Sequence, residues 1–234
     1  MGVRVKISVL VPAYNEEKHL GACLRSLRAQ TVGCEIVVCD NNSKDSTYEI
    51  AKRYADVVVA EKRQGVAHAF NAAVKASSGD LLAFTGADSL AYPGWIEKFL
   101  PHFADPRMVA CYGPLEGLER RNYWPFRMFS QMERLGIRMK MSWVISGANS
   151  MIRRDAVFRA GCFDARFNML EDCLLFSKIR KYGGVKFIAD NPIRTSIRRV
   201  DELGTVKLFA KLFKESLKLR TVRKVKDEHF LPIR

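Results

Sequence analysis

Four short stretches of this chain carry residues that could bind a nucleotide or move a proton. Val11–Glu16 (VPAYNE) offers a proline that ends strand pairing, a flat Tyr14 ring on which a base can stack, and Asn15 and Glu16 for ribose or base edges. The same stretch also reads as a plain strand-to-helix turn, with Asn15 as the cap and Glu16 in the first helical turn. Asp40 closes an apolar run and precedes Asn41-Asn42-Ser43-Lys44-Asp45. An acid at the end of a second parallel strand commonly reaches a nucleoside, whereas Asp45 reads as a turn or cap residue. In Leu81–Ser89 (LLAFTGADS) an apolar strand delivers Asp88 to its far end. One carboxylate there, completed by phosphates and water, can hold Mg²⁺ or Mn²⁺ against a leaving diphosphate; the alternative is a loop acid that caps the helix after Pro93. Glu171-Asp172 opens a helix. Helix-starting acids often serve only the dipole, but one of the pair can act as general base toward an acceptor hydroxyl, in the ionised form that a helix N-terminus favours.

These groups need a scaffold that brings them to one edge. Residues 5–11 (VKISVLV) read as a buried strand ended by Pro12, followed by helical spacing at Leu20, Cys23, Leu24 and Leu27. Strands are expected at Glu35–Asp40, Val57–Ala60 and Leu81–Thr85, with helices at Asp45–Tyr54 and Val66–Ala76 between them. That alternation predicts a parallel, doubly wound sheet with helices on both faces. Ligands then bind beyond the carboxyl ends of the strands, at Pro12–Asn15, Asp40–Ser43, Glu61–Gly65 and Gly86–Ser89. The second half is less regular. Met108–Gly113, Val144–Arg153 and Val185–Ala189 are expected to contain strands, the latter two flanking a helix at Leu174–Tyr182. Residues 122–142 and 202–220 read as amphipathic helices, the second strongly basic.

The 234 residues carry a net charge of +14, which points to anionic partners without choosing among them. Six cysteines show no C-x-x-C spacing, and several sit in apolar runs, so reduced, buried thiols in a cytoplasmic protein are expected. No stretch reaches about 18 uninterrupted apolar residues, so the expectation is a soluble chain, peripheral at most on the inner face of a membrane. G-x-G-x-x-G and P-loop patterns are absent, as is the Gly-rich, Arg-containing loop of a sugar nucleotidyltransferase. With no recognised nucleic-acid motif, no nucleic-acid partner is expected.

In their order along the chain, these stretches resemble glycosyltransferase family 2, the inverting nucleotide-sugar transferases of GT-A fold. The family's opening strand end is matched by Val11–Glu16, and its V-x-D-[DN]-x-S-x-D-x-[ST] segment by Val38–Thr47 (VCDNNSKDST). Arg63-Gln64-Gly65 with Ala69 and Asn71 echoes N-x-G-x-x-x-A-x-N. Gly147-Ala148-Asn149 stands where an acceptor loop belongs, and Gly161-Cys162-Phe163-Asp164 precedes the E-D pair. The resemblance covers residues 5–200 and implies an α/β GT-A domain, 1–200, with a doubly wound, mostly parallel central sheet and flanking helices. Residues 1–90 would form the nucleotide half, 91–200 the acceptor half and 201–234 a basic C-terminal helical extension.

The implied roles follow residue by residue. Pro12, Ala13, Tyr14, Glu16, Asp40, Asn42, Ala87 and Asp88 would bind the nucleotide-diphosphate sugar donor, and Asp88 the divalent cation, Mg²⁺ or Mn²⁺. Gly147, Asn149 and Glu171 would line the acceptor side, toward a glycan or lipid-linked substrate, and Asp172 would be the general base. The family's D-x-D reads Gly86-Ala87-Asp88 here, so its first acid is absent. That departure keeps open a non-catalytic nucleotide-sugar-binding homologue. No Q-x-x-R-W motif appears, although Ser196-Ile197-Arg198-Arg199 sits nearby in order, so a non-processive transferase is implied. From Arg194 to Arg234 the chain has 12 Lys/Arg against 5 Asp/Glu, with Leu203, Val206, Ala210, Phe213 and Leu217 at helical spacing. This segment reads either as a contact for an anionic membrane surface or as a helix packed on the domain.

Overall fold

In the computed structural model, which describes residues 5–119, 123–138, 147–167, 170–207, 210 and 214, the apolar runs become the strands of a seven-stranded sheet. β1 (Ile7–Ala13), β2 (Glu35–Asp40), β3 (Val57–Ala60) and β4 (Leu81–Phe84) are mutually parallel. β8 (Ser150–Arg153) lies antiparallel between β4 and β6 (Met108–Tyr112), and β9 (Gly184–Phe187) runs parallel to β6. The order across the sheet is β3-β2-β1-β4-β8-β6-β9. A second sheet orders β5 (Ser89–Ala91), β10 (Ile193–Thr195) and β7 (Leu115–Gly117) as β5-β10-β7.

The central strands are apolar at successive positions because both sheet faces are covered. Neighbouring residues point to opposite faces, so Val9 and Val11 share one core cluster with α1 (Leu20–Arg28) and α4 (Trp95–Phe99). Leu10, Val37 and Cys39 share the other with α3 (Val66–Ala76), α6 (Arg154–Arg159) and α7 (Glu171–Ile179). The second face is keyed by Phe70, Phe84 and Phe163, whose ring centroids lie 4.9–5.5 Å apart. Each such fully buried side chain contributes roughly 1.5–3 kcal/mol. None of the six cysteines is in a disulfide. Among the described residues no helix is long and apolar enough to cross a membrane.

Several boundaries differ from expectation. Pro12 does not end β1: it pairs opposite Cys39, and β1 continues to Ala13. Leu10 sends its carbonyl to Thr85 on the β4 side, and Pro12, two residues on, faces the same way. The β1–β4 ladder has already stopped at Leu10–Phe84, so the missing N–H costs no bond. α2 (Thr47–Tyr54) starts two residues after Asp45, and α7 starts at Glu171, three residues before the apolar period. The region 122–142 contains α5 (Trp124–Arg138). The basic helix expected from residue 202 is interrupted at once: α8 (Arg198–Leu203) ends at Gly204, whose φ of 75° is left-handed. Most of 202–220, and all of 215–234, lies outside the described residues. The chain divides into compact units Met1–Ile197 and Arg198–Arg234.

Candidate active site

The carboxyl ends of β1, β2, β3 and β4 share one sheet edge, and the antiparallel pairing of β8 brings Gly147–Ser150 to it as well. β1 lies between β2 and β4, so the chain changes winding direction there and leaves the crevice in which ligands of such folds sit. Two loops are laced together at this point. The Asn15 amide N–H donates to Ser43 Oγ at 3.0 Å, and Asn15 Oδ1 accepts from Lys44 N at 2.8 Å. Glu16 N donates to Thr47 Oγ1 at 2.7 Å. Asn15 and Asn42 reach the left-handed region, at φ 53° and 65°, which Asn tolerates better than most residues. The lacing leaves the Tyr14 ring half exposed at the edge. Glu16 is half-buried and Asn42 exposed.

Asp40 is 6% exposed. One carboxylate oxygen accepts from Ser43 N at 3.3 Å, and the other is buried without a partner. A buried acceptor in that condition is costly and is suited to a donor N–H or O–H from a ligand. Asp45 serves the fold: its carboxylate accepts from Thr47 N, Thr47 Oγ1 and Glu17 N. Asn41, which the sequence reading passed over for Asn42, pins the next loop. Its amide donates to the Glu61 and Arg63 carbonyls and accepts from Gly65 N at 2.8 Å. That explains Arg63-Gln64-Gly65 as a loop held in place. Asn71 is structural too, clamping the Phe163 backbone through two 2.9 Å bonds.

Asp88 stands at the centre of the edge, after β4. Its Oδ1 accepts from Thr195 Oγ1 at 3.3 Å and its carbonyl from Ser196 N at 3.2 Å. Ser196 in turn donates to Glu119 Oε1 at 2.8 Å, and Ile197 N to Glu119 Oε2 at 3.0 Å. Burial works to raise the Glu119 carboxyl, but these two bonds outweigh it and hold it below the usual range. Glu119, Thr195 and Ser196 were not singled out from sequence for this setting; the nearest signal was the Ser196–Arg199 segment. A Cβ at Gly86 would lie 2.8 Å from Asp88 Oδ1. The Asp88 carboxylate therefore leans over the position where an acid is absent. Ser89 Oγ lies 3.3 Å from the same Cβ position; it and Thr85 Oγ1 are buried without partners, and Ala87 is buried. Cys23 lies beneath, its Sγ donating to the Gly86 carbonyl at 3.4 Å. Burial, reinforced by the Asp88 charge, pushes this thiol up to about 12, so it is no nucleophile at neutral pH. Among the described residues no three His, Cys, Asp or Glu side chains cluster as a metal cage. The donor set fits a hard cation that takes one carboxylate here and draws its remaining oxygens from phosphates and water.

Asp172, in the first turn of α7, reaches the same edge through Gly147. Its Oδ2 accepts from Gly147 N at 2.7 Å and its Oδ1 from Cys173 N at 2.7 Å. Burial raises its pKa, and the two N–H bonds oppose that rise without cancelling it. A Cβ at Gly147 would lie 2.5 Å from Asp172 Cβ, so only glycine allows this approach. Glu171 is half-buried at the helix start. Asn149, expected on the acceptor side, is fully buried. Its amide accepts from Trp95 Nε1 at 2.7 Å and donates to the Pro114 and Asn191 carbonyls at 2.8 and 2.9 Å. Both N–H donors are used and the side chain is sealed from solvent, so Asn149 fixes the loop that carries Gly147.

The arrangement can be set beside known proteins. The family model described as glycosyl transferase family 2 matches residues 8–159. Glycosyltransferase AglE of Haloferax volcanii is 27% identical over 172 residues, which cover 67% of this chain and 55% of that protein. The chain thus spans little more than half the length of this relative. Among solved structures, a mannosyltransferase from Pyrobaculum calidifontis, in complex with GDP-Man and Mn²⁺, aligns with TM-score 0.67 at 24% identity, over 91% of this chain and 65% of that one. Glucosyl-3-phosphoglycerate synthase from Mycobacterium tuberculosis, in complex with Mn²⁺, UDP and glucosyl-3-phosphoglycerate, aligns with TM-score 0.65 at 20% identity, over 87% and 76%. At these identities the likeness establishes the GT-A fold, and the family model, which covers well over half of the sequence, establishes the lineage: the chain belongs to glycosyl transferase family 2.

Proposed function

We propose that the chain is an inverting, non-processive glycosyltransferase that moves a sugar from a nucleotide-diphosphate donor to an acceptor hydroxyl or lipid phosphate. The observation that carries this reading is the order of three carboxylates along one edge: Asp40 at the end of β2, Asp88 after β4 and Asp172 against the loop before β8. From β2 to β8 is three strand spacings, about 14 Å, a span that an extended nucleotide-diphosphate sugar bridges. Asp40, Tyr14 and Glu16 hold the nucleoside, with the unpartnered Asp40 oxygen accepting from it. Asp88 would hold a divalent cation, Mg²⁺ or Mn²⁺, beside the diphosphate. When bound, that cation supplies Lewis-acid neutralisation of the departing diphosphate. The two solved relatives whose complexes contain Mn²⁺ support this choice.

Asp172 then takes the proton of the acceptor hydroxyl as its oxygen attacks the anomeric carbon and the carbon–diphosphate bond breaks. Burial has raised its basicity, and the bonds from Gly147 and Cys173 fix its orientation. A single displacement inverts the anomeric centre. Glu171 and the Gly147 loop face the acceptor. The absent acid at Gly86 motivates the non-catalytic alternative, but the lean of Asp88 toward that space supports a one-carboxylate active site. A thermal-shift panel of nucleotide sugars with Mg²⁺ and Mn²⁺ tests the proposal. One nucleotide-diphosphate sugar is expected to stabilise the protein in a metal-dependent manner, and Asp88→Ala is expected to remove the metal dependence. Stabilisation by no donor at all, or by a donor that is then never turned over with any acceptor, would contradict it.

A further inference from the structure

α5 has apolar residues on two sides, and only one is used by the fold. The helix packs against β7 and β9; Pro125 is buried, and Phe126, Phe129 and Met132 are half-buried. On the other side Trp124, Met128 and Leu135 are 59%, 38% and 57% exposed. With Gln131 they fall at i, i+4, i+7 and i+11, a single stripe along a 15-residue helix about 22 Å long. A large aromatic, a thioether and a leucine aligned in water are not explained by the domain core. Arg127 and Arg134 are exposed along one flank of the stripe, and the Arg134 guanidinium also lies over the Phe187 ring of β9, 5.7 Å from its centroid. Residues 120–142 hold six Lys/Arg and a single acidic residue, Glu133, a local net charge of +5.

We infer that this outer face of α5 lies on an anionic lipid surface. Charge complementarity selects that occupant: apolar side chains enter the headgroup boundary while flanking guanidinium groups meet lipid phosphates. Trp is at home at that depth, with an apolar ring and a polar N–H, and long arginine stems extend toward the headgroups. α5 lies in sequence between β7 and the Gly147 loop that holds Asp172, so lipid contact falls in the half of the chain that handles the acceptor. The inference concerns α5 alone and is independent of the C-terminal basic segment.

The test is co-sedimentation of the full-length chain with phosphatidylcholine vesicles containing about one-third phosphatidylglycerol, at low salt, against pure phosphatidylcholine. Wild type is expected to sediment with the anionic vesicles only, and to be released by added salt. The variant Trp124→Ser/Met128→Ser/Leu135→Ser is expected to partition roughly tenfold or more weakly. Arg127→Glu gives a second, electrostatic arm with the same expected direction; Arg134 is kept because its guanidinium covers Phe187. All substituted residues are exposed, so unchanged melting temperature and circular dichroism are expected and confirm folding. Equal binding by wild type and both folded variants, equal binding to neutral vesicles, or no binding by wild type would each overturn the inference. So would light scattering that shows wild type to be a dimer without vesicles and the triple variant a monomer, because the stripe would then face a second copy.

Discussion

Replacing Gly147 by alanine should disable the proton transfer proposed for Asp172 while leaving the donor side intact. A Cβ at position 147 would lie 2.5 Å from Asp172 Cβ, 2.9 Å from Oδ2 and 3.2 Å from Cγ. Non-bonded carbons settle at about 3.5–4.0 Å, so the loop and the first turn of α7 must separate by about 1 Å. The Gly147 N–H bond to Oδ2, 2.7 Å long, then lengthens or is lost; a hydrogen bond to a charged group is worth about 1.5–3 kcal/mol. A displacement of that size typically costs about 100-fold in rate. Donor affinity should hold, because Tyr14, Glu16, Asp40 and Asp88 are carried by β1, β2 and β4 and their loops. The assay pairs transfer kinetics with calorimetry of donor binding. A folded Gly147→Ala protein with wild-type kcat would refute the reasoning, since Asp172 would then not need the position in which Gly147 holds it.

Three further outcomes follow from the same geometry. Gly86→Asp should lower metal-linked donor affinity, because the new side chain must displace the Asp88 carboxylate now 2.8 Å from that Cβ position and break its Thr195 contact; calorimetry with and without Mn²⁺ measures it. Asn149→Ala should destabilise the protein by roughly 2–4 kcal/mol, since it removes three hydrogen bonds and strands a buried Trp95 N–H, and chemical denaturation reads this directly. The acid limb of kcat/KM should lie above the ordinary aspartate range. Burial keeps Asp172 protonated to higher pH, so the basic form is lost as pH falls through that raised value; the same shift makes ionisation of Asp172 cost folding stability as pH rises through it.

The parallel half of the sheet was legible because its strands are buried on both faces, leaving unbroken runs such as IVVC ahead of Asp40 and LLAF ahead of the Asp88 loop. Local signals were less reliable where the sheet's own ends decide the outcome. Pro12 reads as a strand terminator, yet it is tolerated because β4 has stopped on that side. The sheet position of β8, antiparallel between β4 and β6, left no mark in the sequence, because pairing across long separations is set by packing rather than by local periodicity. The three acids could be picked out as strand-end or helix-start groups. Their support could not: Gly147 is explained by a contact with a residue 25 positions away, and Glu119 by bonds to residues 77 and 78 positions away. The setting of Asn149 was hidden for a similar reason, since an amide in this loop looks the same in sequence whether it faces a ligand or a buried tryptophan.

The most direct test of the account is Asp172→Asn, assayed for both donor binding and transfer. The residues proposed to hold the nucleoside stand on other elements, so calorimetry should give donor affinity near that of wild type, while transfer to the acceptor falls by about 10²–10⁴-fold and the wild-type product shows an inverted anomeric centre by NMR. Near-normal turnover by the mutant, or a wild-type product that retains the donor's anomeric configuration, would contradict the claim that Asp172 is the base of a single displacement.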